Sequence, residues 1–211
     1  MNQMPSRIVS AVPLTRRALA KQRTREKVLD AAKQLFTERG YEAATVRDIA
    51  SAAGMSTGAV FASFADKADL FNEVLIADYQ ALAARMAEAA AGRATVDESL
   101  LELLSVGYAF ELEQLPLLQA GVSVSWSRTP IVEKRNRQGL KPILGLISAV
   151  LRRSVAAGEL TQNIDVALVS ETIWDIYLAS YRRAVFDQWG LDALRGRLRA
   201  QIALVLAGFR A

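Results

Sequence analysis

Carboxylates, lysines and arginines are the charged side chains left to do chemistry in this sequence, because its 211 residues include no histidine and no cysteine. That composition removes imidazole acid–base catalysis, thiolate nucleophiles, disulfides and zinc sites built on nitrogen or sulfur. The sequence also lacks a phosphate-binding loop, a nucleophile elbow and paired Glu-x-x-His ligands. We therefore expect no enzyme, no cofactor and no metal; a helical-bundle enzyme using carboxylates or lysines is the least favoured alternative.

Positive charge is concentrated in the first third of the chain, whose overall net charge is +4. Residues 1–67 include eleven lysines and arginines and six acidic residues. Residues 68–211 include fifteen lysines and arginines and sixteen acidic residues. A short basic segment joined to a larger, nearly neutral one is typical of a protein whose first part meets a polyanion. The plain alternative is a solvated basic surface.

The sequence gives no sign of a secretory or membrane segment. Pro5, Arg7, Pro13 and Arg16 interrupt the first twenty residues, so the apolar stretch of a secretory signal is absent. The charge-free run Gln114–Ser127 is too short to span a bilayer. We expect a cytoplasmic protein that does not enter the membrane.

Hydrophobic periodicity predicts an all-α protein, with a three-helix unit near the N-terminus and a larger helical body after it. We expect a disordered basic tail over 1–22, a helix-turn-helix domain over 23–67 and a helical body over 68–211. The first helix should begin at Thr24 and end at Gly40. Pro142 should kink or break a long body helix. The remaining expected helices are 46–53, 58–64, 68–91, 96–115, 117–123, 130–157, 165–188 and 191–210.

The segment from Thr45 to Phe64 has the local signals of a helix-turn-helix. Thr45 and Asp48 fit a capping pair at the start of the second helix. Gly54 permits the positive φ of a tight turn, and Ser56 or Thr57 can cap the following helix. Apolar side chains at Ile49, Met55 and Val60 should fix the angle between the two helices.

Three stretches, 40–50, 53–64 and 66–71, carry a family resemblance: Gly-Tyr-Glu-Ala-Ala-Thr-Val-Arg-Asp-Ile-Ala, then Ala-Gly-Met-Ser-Thr-Gly-Ala-Val-Phe-Ala-Ser-Phe, then Asp-Lys-Ala-Asp-Leu-Phe. The sequence resembles the DNA-binding domain of TetR-family transcriptional regulators over Arg23 to Phe71, while the remainder matches only in size and helix count. The resemblance implies an all-helical homodimer with a small-molecule site in its body, paired through its last two helices. Family members are mostly repressors released from DNA by that ligand.

The resemblance assigns DNA contacts to residues of the head. Thr45, Arg47 and Lys67 fall where the family contacts phosphate or groove edges. Phe61 replaces the usual tyrosine, and Thr57 stands where a lysine is frequent, so two backbone contacts differ. The recognition helix offers hydroxyls and small apolar groups but no Arg, Lys, Asn or Gln for bidentate base reading; its candidate residues are Thr57, Gly58, Ala59, Phe61, Ala62 and Ser63.

Since the recognition helix is poor in base-reading groups, we expect basic residues outside it to supply groove contacts and most of the electrostatic affinity. Arg47 and the tail residues Arg23 and Arg25 are the candidates. The alternative is that the tail is a disordered leader without a role.

Aromatic residues of the body are candidates for an effector site, because apolar ligand pockets are commonly lined by such side chains. The effector would be a small apolar or amphipathic molecule. Each aromatic residue has packing in the core or a dimer interface as its alternative role. Glu102, Glu171 and Asp175 are candidates for selecting a cation. The aromatic candidates are Tyr108, Phe110, Trp126, Trp174, Tyr177 and Tyr181.

The last two helices carry apolar residues on more than one face, as in a four-helix interface made from two copies. Our main hypothesis is therefore a homodimeric, ligand-responsive regulator, with double-stranded DNA and a small-molecule effector as partners. It would be a repressor on a palindromic operator. The alternative is a structural DNA-binding protein that has a closed body and no ligand.

Overall fold

The computed structural model describes residues 15–89 and 95–211, and in these ranges the chain forms nine α-helices and no β-strand. The expected helical fold is confirmed. A short 3-10 turn, Ala207–Phe209, follows the last helix. The helices are α1 (Arg16–Ala43), α2 (Val46–Ala52), α3 (Thr57–Phe61), α4 (Lys67–Ala89), α5 (Val96–Leu112), α6 (Leu115–Ser125), α7 (Pro130–Ala156), α8 (Val166–Asp187) and α9 (Leu191–Leu206).

The first three helices and the start of α4 close around a small apolar core, which we call the head core. Phe36 of α1 packs edge-on against Phe71 of α4, with ring centroids 5.0 Å apart. Both rings are buried, as are Ile49 of α2 and Val60 of α3. This burial fixes the orientation of α2 and α3 on the long helix α1.

Helices α5, α7, α8 and α9 share a second core with the later part of α4, which we call the body core. Tyr108 of α5 stacks on Tyr177 of α8 at 4.5 Å between ring centroids. Gly107 makes this possible, since a Cβ there would lie 2.2 Å from the Tyr177 hydroxyl oxygen. The helix pair α5 and α8 is thus held by aromatic packing that a larger side chain at 107 would disturb.

Helix α4 belongs to both cores. Its first half contributes Leu70 and Phe71 to the head core, whereas Leu82 and Met86 lie in the body core. Leu117 of α6 is also buried in the head core. The head is therefore packed directly on the body, and displacement of α4 would move both.

Two predicted features of the first helix are corrected or confirmed by the structure. The helix begins at Arg16 rather than at Thr24, because the Thr15 hydroxyl accepts a hydrogen bond from the Ala18 N–H and caps it. The stretch before Val28 has no buried residue, so hydrophobic periodicity could not reveal it. Gly40, at φ 77°, interrupts the helix as expected. The part of the expected disordered tail in 1–14 lies outside the described residues.

Other predicted boundaries also shift for local reasons. Helix α3 ends at Phe61 instead of Phe64, because Phe64 turns inward and is 2% exposed in the head core. Pro116 lies in the first turn of α6, which therefore starts at Leu115 rather than at Leu117. Helix α7 continues through Pro142 without a break. None of the described helices is long and apolar enough to cross a bilayer.

Most of the apolar stripe of α8 and of α9 is buried within a single chain. Val169, Ile173 and Tyr177 of α8 and Leu194 and Leu198 of α9 are all buried. Periodicity identified the apolar residues but could not say that the bundle of one chain covers them. The large apolar side chains that stay exposed on these helices are Leu168, Phe186 and Leu204.

Candidate nucleic-acid interface and ligand cavity

The α2–α3 unit has the capping pattern that the sequence predicts. The Thr45 hydroxyl accepts a hydrogen bond from the Asp48 N–H at 3.2 Å, and the Asp48 carboxylate accepts from the Thr45 N–H and hydroxyl. These hydrogen bonds to Thr45 lower the pKa of Asp48, with a smaller contribution from Arg39. Gly54 makes the turn at φ 68°, and the Ser56 hydroxyl caps α3 through the Ala59 N–H. The capped turn holds α3 at the surface.

Helix α3 presents a small, mostly uncharged face to solvent. Thr57, Gly58 and Ala62 are exposed, and the Phe61 ring is 53% exposed. Ala59 and Ser63 are partly buried. The predicted recognition residues thus lie on or beside one accessible patch, and none of them is packed fully inward. An exposed aromatic ring beside small side chains suits contact with thymine methyl groups.

Two predicted phosphate-binding cations are already engaged within the chain. The Arg25 guanidinium donates to the Ser63 carbonyl at 3.0 Å, pairs with Glu73 and lies over the Phe64 ring. The Lys67 ammonium donates to the Glu42 carbonyl at 3.2 Å and lies over the Tyr41 ring. Arg25 and Lys67 therefore hold α3 and α4 on α1, and a phosphate would have to share or replace these contacts.

The start of α1 forms an exposed basic segment that we call the basic arm. Arg16, Arg17, Lys21 and Arg23 are all exposed on it, on a helix rather than a coil. Arg47, at the start of α2, is exposed as well. These five cations are more available to a polyanion than Arg25 or Lys67.

A cavity of about 240 Å³, which we call the inner cavity, lies among helices α4 to α8. Its walls are mostly apolar, with Leu75, Leu140 and Leu178 among them. Polar groups that were not among the sequence candidates also face it: Asp78, Tyr79, Glu111, Arg128 and Asn136. An apolar cavity with a few polar groups is the usual form of a small-molecule site.

One end of the inner cavity carries a chain of polar contacts that reaches the head. The Gln114 amide donates to the Asp78 carboxylate at 2.7 Å and more weakly to Glu111 at 3.4 Å. The Lys33 ammonium of α1 forms an ion pair with Asp78 at 2.5 Å. Burial, followed by the nearby Asp78 charge, raises the pKa of Glu111 to about 8. Glu111, Asp78 and Lys33 therefore interact electrostatically as one group that extends from the inner cavity to the head.

A wider groove continues from the inner cavity toward the surface, and we call it the outer groove. Its volume is about 620 Å³, and it shares Leu118, Val122, Trp126 and Leu178 with the inner cavity. The Trp126 side chain is 93% exposed at this junction. Together the two spaces could hold a molecule with a polar end inside and an apolar part outside.

Three of the six aromatic candidates line these spaces. Trp174 lines the inner cavity, Tyr181 lines the outer groove, and Trp126 lines both. Tyr108 and Tyr177 instead stack in the body core, and Phe110 packs under Arg85. These last three side chains correspond to the packing alternative, since none lines the inner cavity or the outer groove.

The acidic candidates are also distributed unequally. Glu102 pairs with Arg195, whereas Glu171 and Asp175 are exposed, with Asp175 on the wall of the outer groove. Glu111 was not among the sequence candidates for the cavity, because it is a single charged residue near the end of a helix. Its spacing could have indicated a buried position, since it lies one helical turn after Tyr108 on the same face of α5. No group of three acidic side chains in the described part could hold a metal ion.

Comparison with known proteins decides the family. The model for bacterial regulatory proteins of the tetR family matches residues 28–74. The transcriptional repressor KstR2 of Mycobacterium tuberculosis H37Rv is 31% identical over 163 residues, which cover 75% of this chain and 80% of that protein. The chain belongs to the TetR family. Its relatives in this family are transcriptional regulators rather than enzymes.

Solved TetR-fold structures have the same overall architecture. The fatty acid degradation regulator FadR from Bacillus halodurans superposes with a TM-score of 0.71 at 23% identity, covering 88% of this chain and 99% of that one. FadR from Bacillus subtilis, solved in complex with stearoyl-CoA, gives 0.70 at 23% identity over 85% and 97%. At these identities the likeness establishes the TetR fold of this chain.

Proposed function

We propose that the protein is a ligand-responsive repressor that acts in the cytoplasm, binding a palindromic operator as a homodimer and leaving it when a small apolar or amphipathic molecule binds. One observation carries the proposal. Asp78 lines the inner cavity and also forms the ion pair with Lys33 of the head. A ligand in contact with Asp78 would therefore act directly on the contact between body and head, which is a coupling between two sites.

The DNA-binding part of the proposal divides the chain after residue 67. The exposed face of α3 would enter the major groove, with Thr45 and Arg47 at its side. The basic arm, including Arg23, would contact phosphates or the minor groove. Arg25 and Lys67 would act mainly by positioning α3 and α4. The proposed recognition patch consists of Thr57, Gly58, Ala59, Phe61, Ala62 and Ser63.

The proposed dimer pairs α8 and α9 of two copies. Leu168, Phe186 and Leu204 are 60%, 70% and 77% exposed, although the opposite faces of their helices are buried. The exposed face of α9 also carries the small residues Ala200 and Ala203, which allow close helix approach. A two-fold axis through this surface would present two α3 helices to successive half-sites.

The proposed effector site is the inner cavity together with the outer groove, with Trp126, Trp174 and Tyr181 in contact with the ligand. Tyr108, Phe110 and Tyr177 would support the wall from behind. FadR from Bacillus subtilis, with the same fold, was solved with stearoyl-CoA, which supports a ligand in the body. Cavity volume and aromatic lining favour a ligand over a purely structural DNA-binding role.

The direct test combines DNA binding with ligand screening. The DNA upstream of the protein's own gene would be used as the operator source in a footprinting and mobility-shift assay. A thermal-shift screen of lipids, hydrophobic drugs and metabolites should yield a stabiliser that also releases this DNA. Leu178→Trp, which fills the shared wall of both spaces, should block the stabiliser yet leave DNA binding intact. The matched control Ile131→Trp, at an exposed position on α7 outside both spaces and outside the proposed dimer surface, should respond normally. A broad library with no stabiliser would favour the structural DNA-binding alternative.

A further inference from the structure

Glu111 is the acidic group of the inner cavity that has no cationic partner among the described residues. It is 4% exposed, and its hydrogen bond from the Gln114 amide is long, at 3.4 Å. Asp78 has Lys33, and Arg128 donates to Glu133 and to the Gly121 carbonyl. A buried carboxyl group without a counter-charge is costly unless it is protonated or meets a cation.

A second, independent group in the same cavity also lacks a partner. Asn136 of α7 is 6% exposed, and its side-chain oxygen accepts no hydrogen bond from any described residue. Glu111 and Asn136 come from different helices and both line the inner cavity. An amide oxygen and a carboxylate are acceptors, so the group that would satisfy both is a donor of N–H bonds.

Aromatic side chains line the same cavity as this acceptor pair. Trp174 and Tyr79 are both among its walls, and Trp174 stacks on Tyr177 with ring centroids 5.1 Å apart. Burial raises the pKa of the hydroxyls of Tyr79, Tyr177 and Tyr181, and the Glu111 charge raises it further. A cavity that contains both an indole and an unpaired carboxyl group is a favourable place for an organic cation.

We infer that the inner cavity selects an amphipathic amine, with its ammonium group between Glu111, Asn136 and the face of Trp174 and its apolar part in the outer groove. The inference rests on the proposed function of this cavity as the effector site and adds the chemical class of the effector. Arg128 is the competing anion-binding group, but its charge is already paired with Glu133. Among the described side chains that line the inner cavity, the buried atom left without a hydrogen bond is the Asn136 side-chain oxygen, which is an acceptor.

The inference also predicts a proton exchange. The groups that face Glu111 are Lys33 of α1, Asp78 and Tyr79 of α4, Tyr177 and Tyr181 of α8, and Arg128. Because its pKa is about 8, Glu111 is largely protonated near neutral pH. A bound ammonium group would favour the carboxylate, so binding should release close to one proton at about pH 7 and far less at about pH 9.

The experiment uses 4-phenylbutylamine, 4-phenylbutanol and 4-phenylbutanoate as probes, which share one apolar group. Calorimetric titration of the full-length protein in two buffers with different ionisation enthalpies gives both affinity and proton release. The amine should bind about tenfold or more tightly than the alcohol. Glu111→Gln should abolish this preference and the proton release while leaving the binding of the alcohol unchanged. The matched variant Glu113→Gln, exposed at the end of α5 and outside both spaces, should retain both.

Three results would overturn the proposed amine selectivity. They are equal binding of amine and alcohol, preference for the carboxylate probe, and no detectable amine binding at about millimolar concentration. A mobility-shift assay with the same probes separates this failure from failure of the proposed function. If the alcohol or the carboxylate releases DNA, the cavity is an effector site but does not select an amine. If the amine binds at Glu111 without releasing DNA, the cavity selects an amine but is not the effector site.

Discussion

Lys33 on α1 and Asp78 on α4 form an ion pair in which the carboxylate is 4% exposed and the lysine side chain is 38% exposed. The same Asp78 lines the inner cavity and accepts from Gln114. Asp78 therefore contacts both the head, through Lys33, and the inner cavity that it lines.

Replacing Lys33 by methionine should destabilise the protein by about 1 to 2 kcal/mol, because it leaves the buried Asp78 carboxylate without its cation. The cost is below that of a fully buried pair, since Lys33 is partly solvated. The double variant Lys33→Met/Asp78→Asn should recover most of the loss, as a neutral amide still accepts from Gln114. Urea unfolding of the four members of this cycle measures the coupling, and additive losses would show that the pair contributes nothing.

The stability of the folded chain should fall as pH rises through the titration of Glu111. Burial raises the pKa of Glu111 to about 8 from its ordinary 4.5, so between these values the folded state holds a proton that the unfolded state has released. Folding is then opposed by up to about 1.4 kcal/mol per pH unit, and the effect levels off above pH 8. Denaturation of wild type and Glu111→Gln between about pH 5 and pH 9 would show a steeper decline for wild type.

The exposed neighbour Glu113 provides the control for this titration. Glu113→Gln should follow the wild-type dependence on pH, because its side chain is in solvent. If Glu111→Gln and wild type lose stability in parallel across the range, the carboxyl group of Glu111 titrates normally and the buried environment described above is wrong.

Gly107→Ala should lower the free energy of unfolding by about 1 to 3 kcal/mol, because the added Cβ would lie 2.2 Å from the Tyr177 hydroxyl oxygen. Relief requires Tyr177 to leave its stack on Tyr108. Gly145→Ala on α7 is the matched control: nothing lies within 4 Å of its Cβ position, so alanine should be neutral or mildly stabilising. Adding Tyr177→Phe to Gly107→Ala should recover part of the loss, and no recovery would place the strain elsewhere.

The basic arm should set the salt dependence of DNA binding. Changing Arg16, Arg17, Lys21 and Arg23 to glutamine should weaken operator binding and reduce the slope of log affinity against log salt by about 0.9 for each phosphate that the protein no longer neutralises. Fluorescence anisotropy over a range of salt concentrations measures that slope. Lys134→Gln/Lys141→Gln, on the exposed face of α7, should leave it unchanged, and equal slopes for both sets would argue against a role for the basic arm.

The DNA-binding head could be predicted closely from the sequence because its signals are local. Thr45 with Asp48, the turn at Gly54 and the interruption at Gly40 each depend on residues only a few positions apart. The basic arm was not recognised as helical, because an exposed helix has no apolar stripe and its cap at Thr15 precedes any periodic pattern.

The ligand cavity could be predicted only in part, because long-range packing decides it. Trp174 and Tyr181 were candidates by residue type, yet periodicity alone could not separate them from Tyr177. Tyr177 lies one turn away and is buried like them, but it lines neither the inner cavity nor the outer groove. Glu111 becomes a cavity residue only through helices α4 and α8, which are distant in sequence. The exposed dimer candidates Leu168, Phe186 and Leu204 likewise emerge only after one chain's own core is complete.

Two of the chain's three tryptophans line the inner cavity, one almost fully exposed and one buried. The protein thus carries its own spectroscopic reporter. Emission from Trp126 should be red-shifted, as in water, while the cavity is empty, and a molecule that covers this indole should shift its emission to the blue. Trp174 should be quenched by direct contact with the ligand. Occupancy can therefore be followed without a label, and Trp126→Phe separates the emission of Trp126 from that of the other two tryptophans.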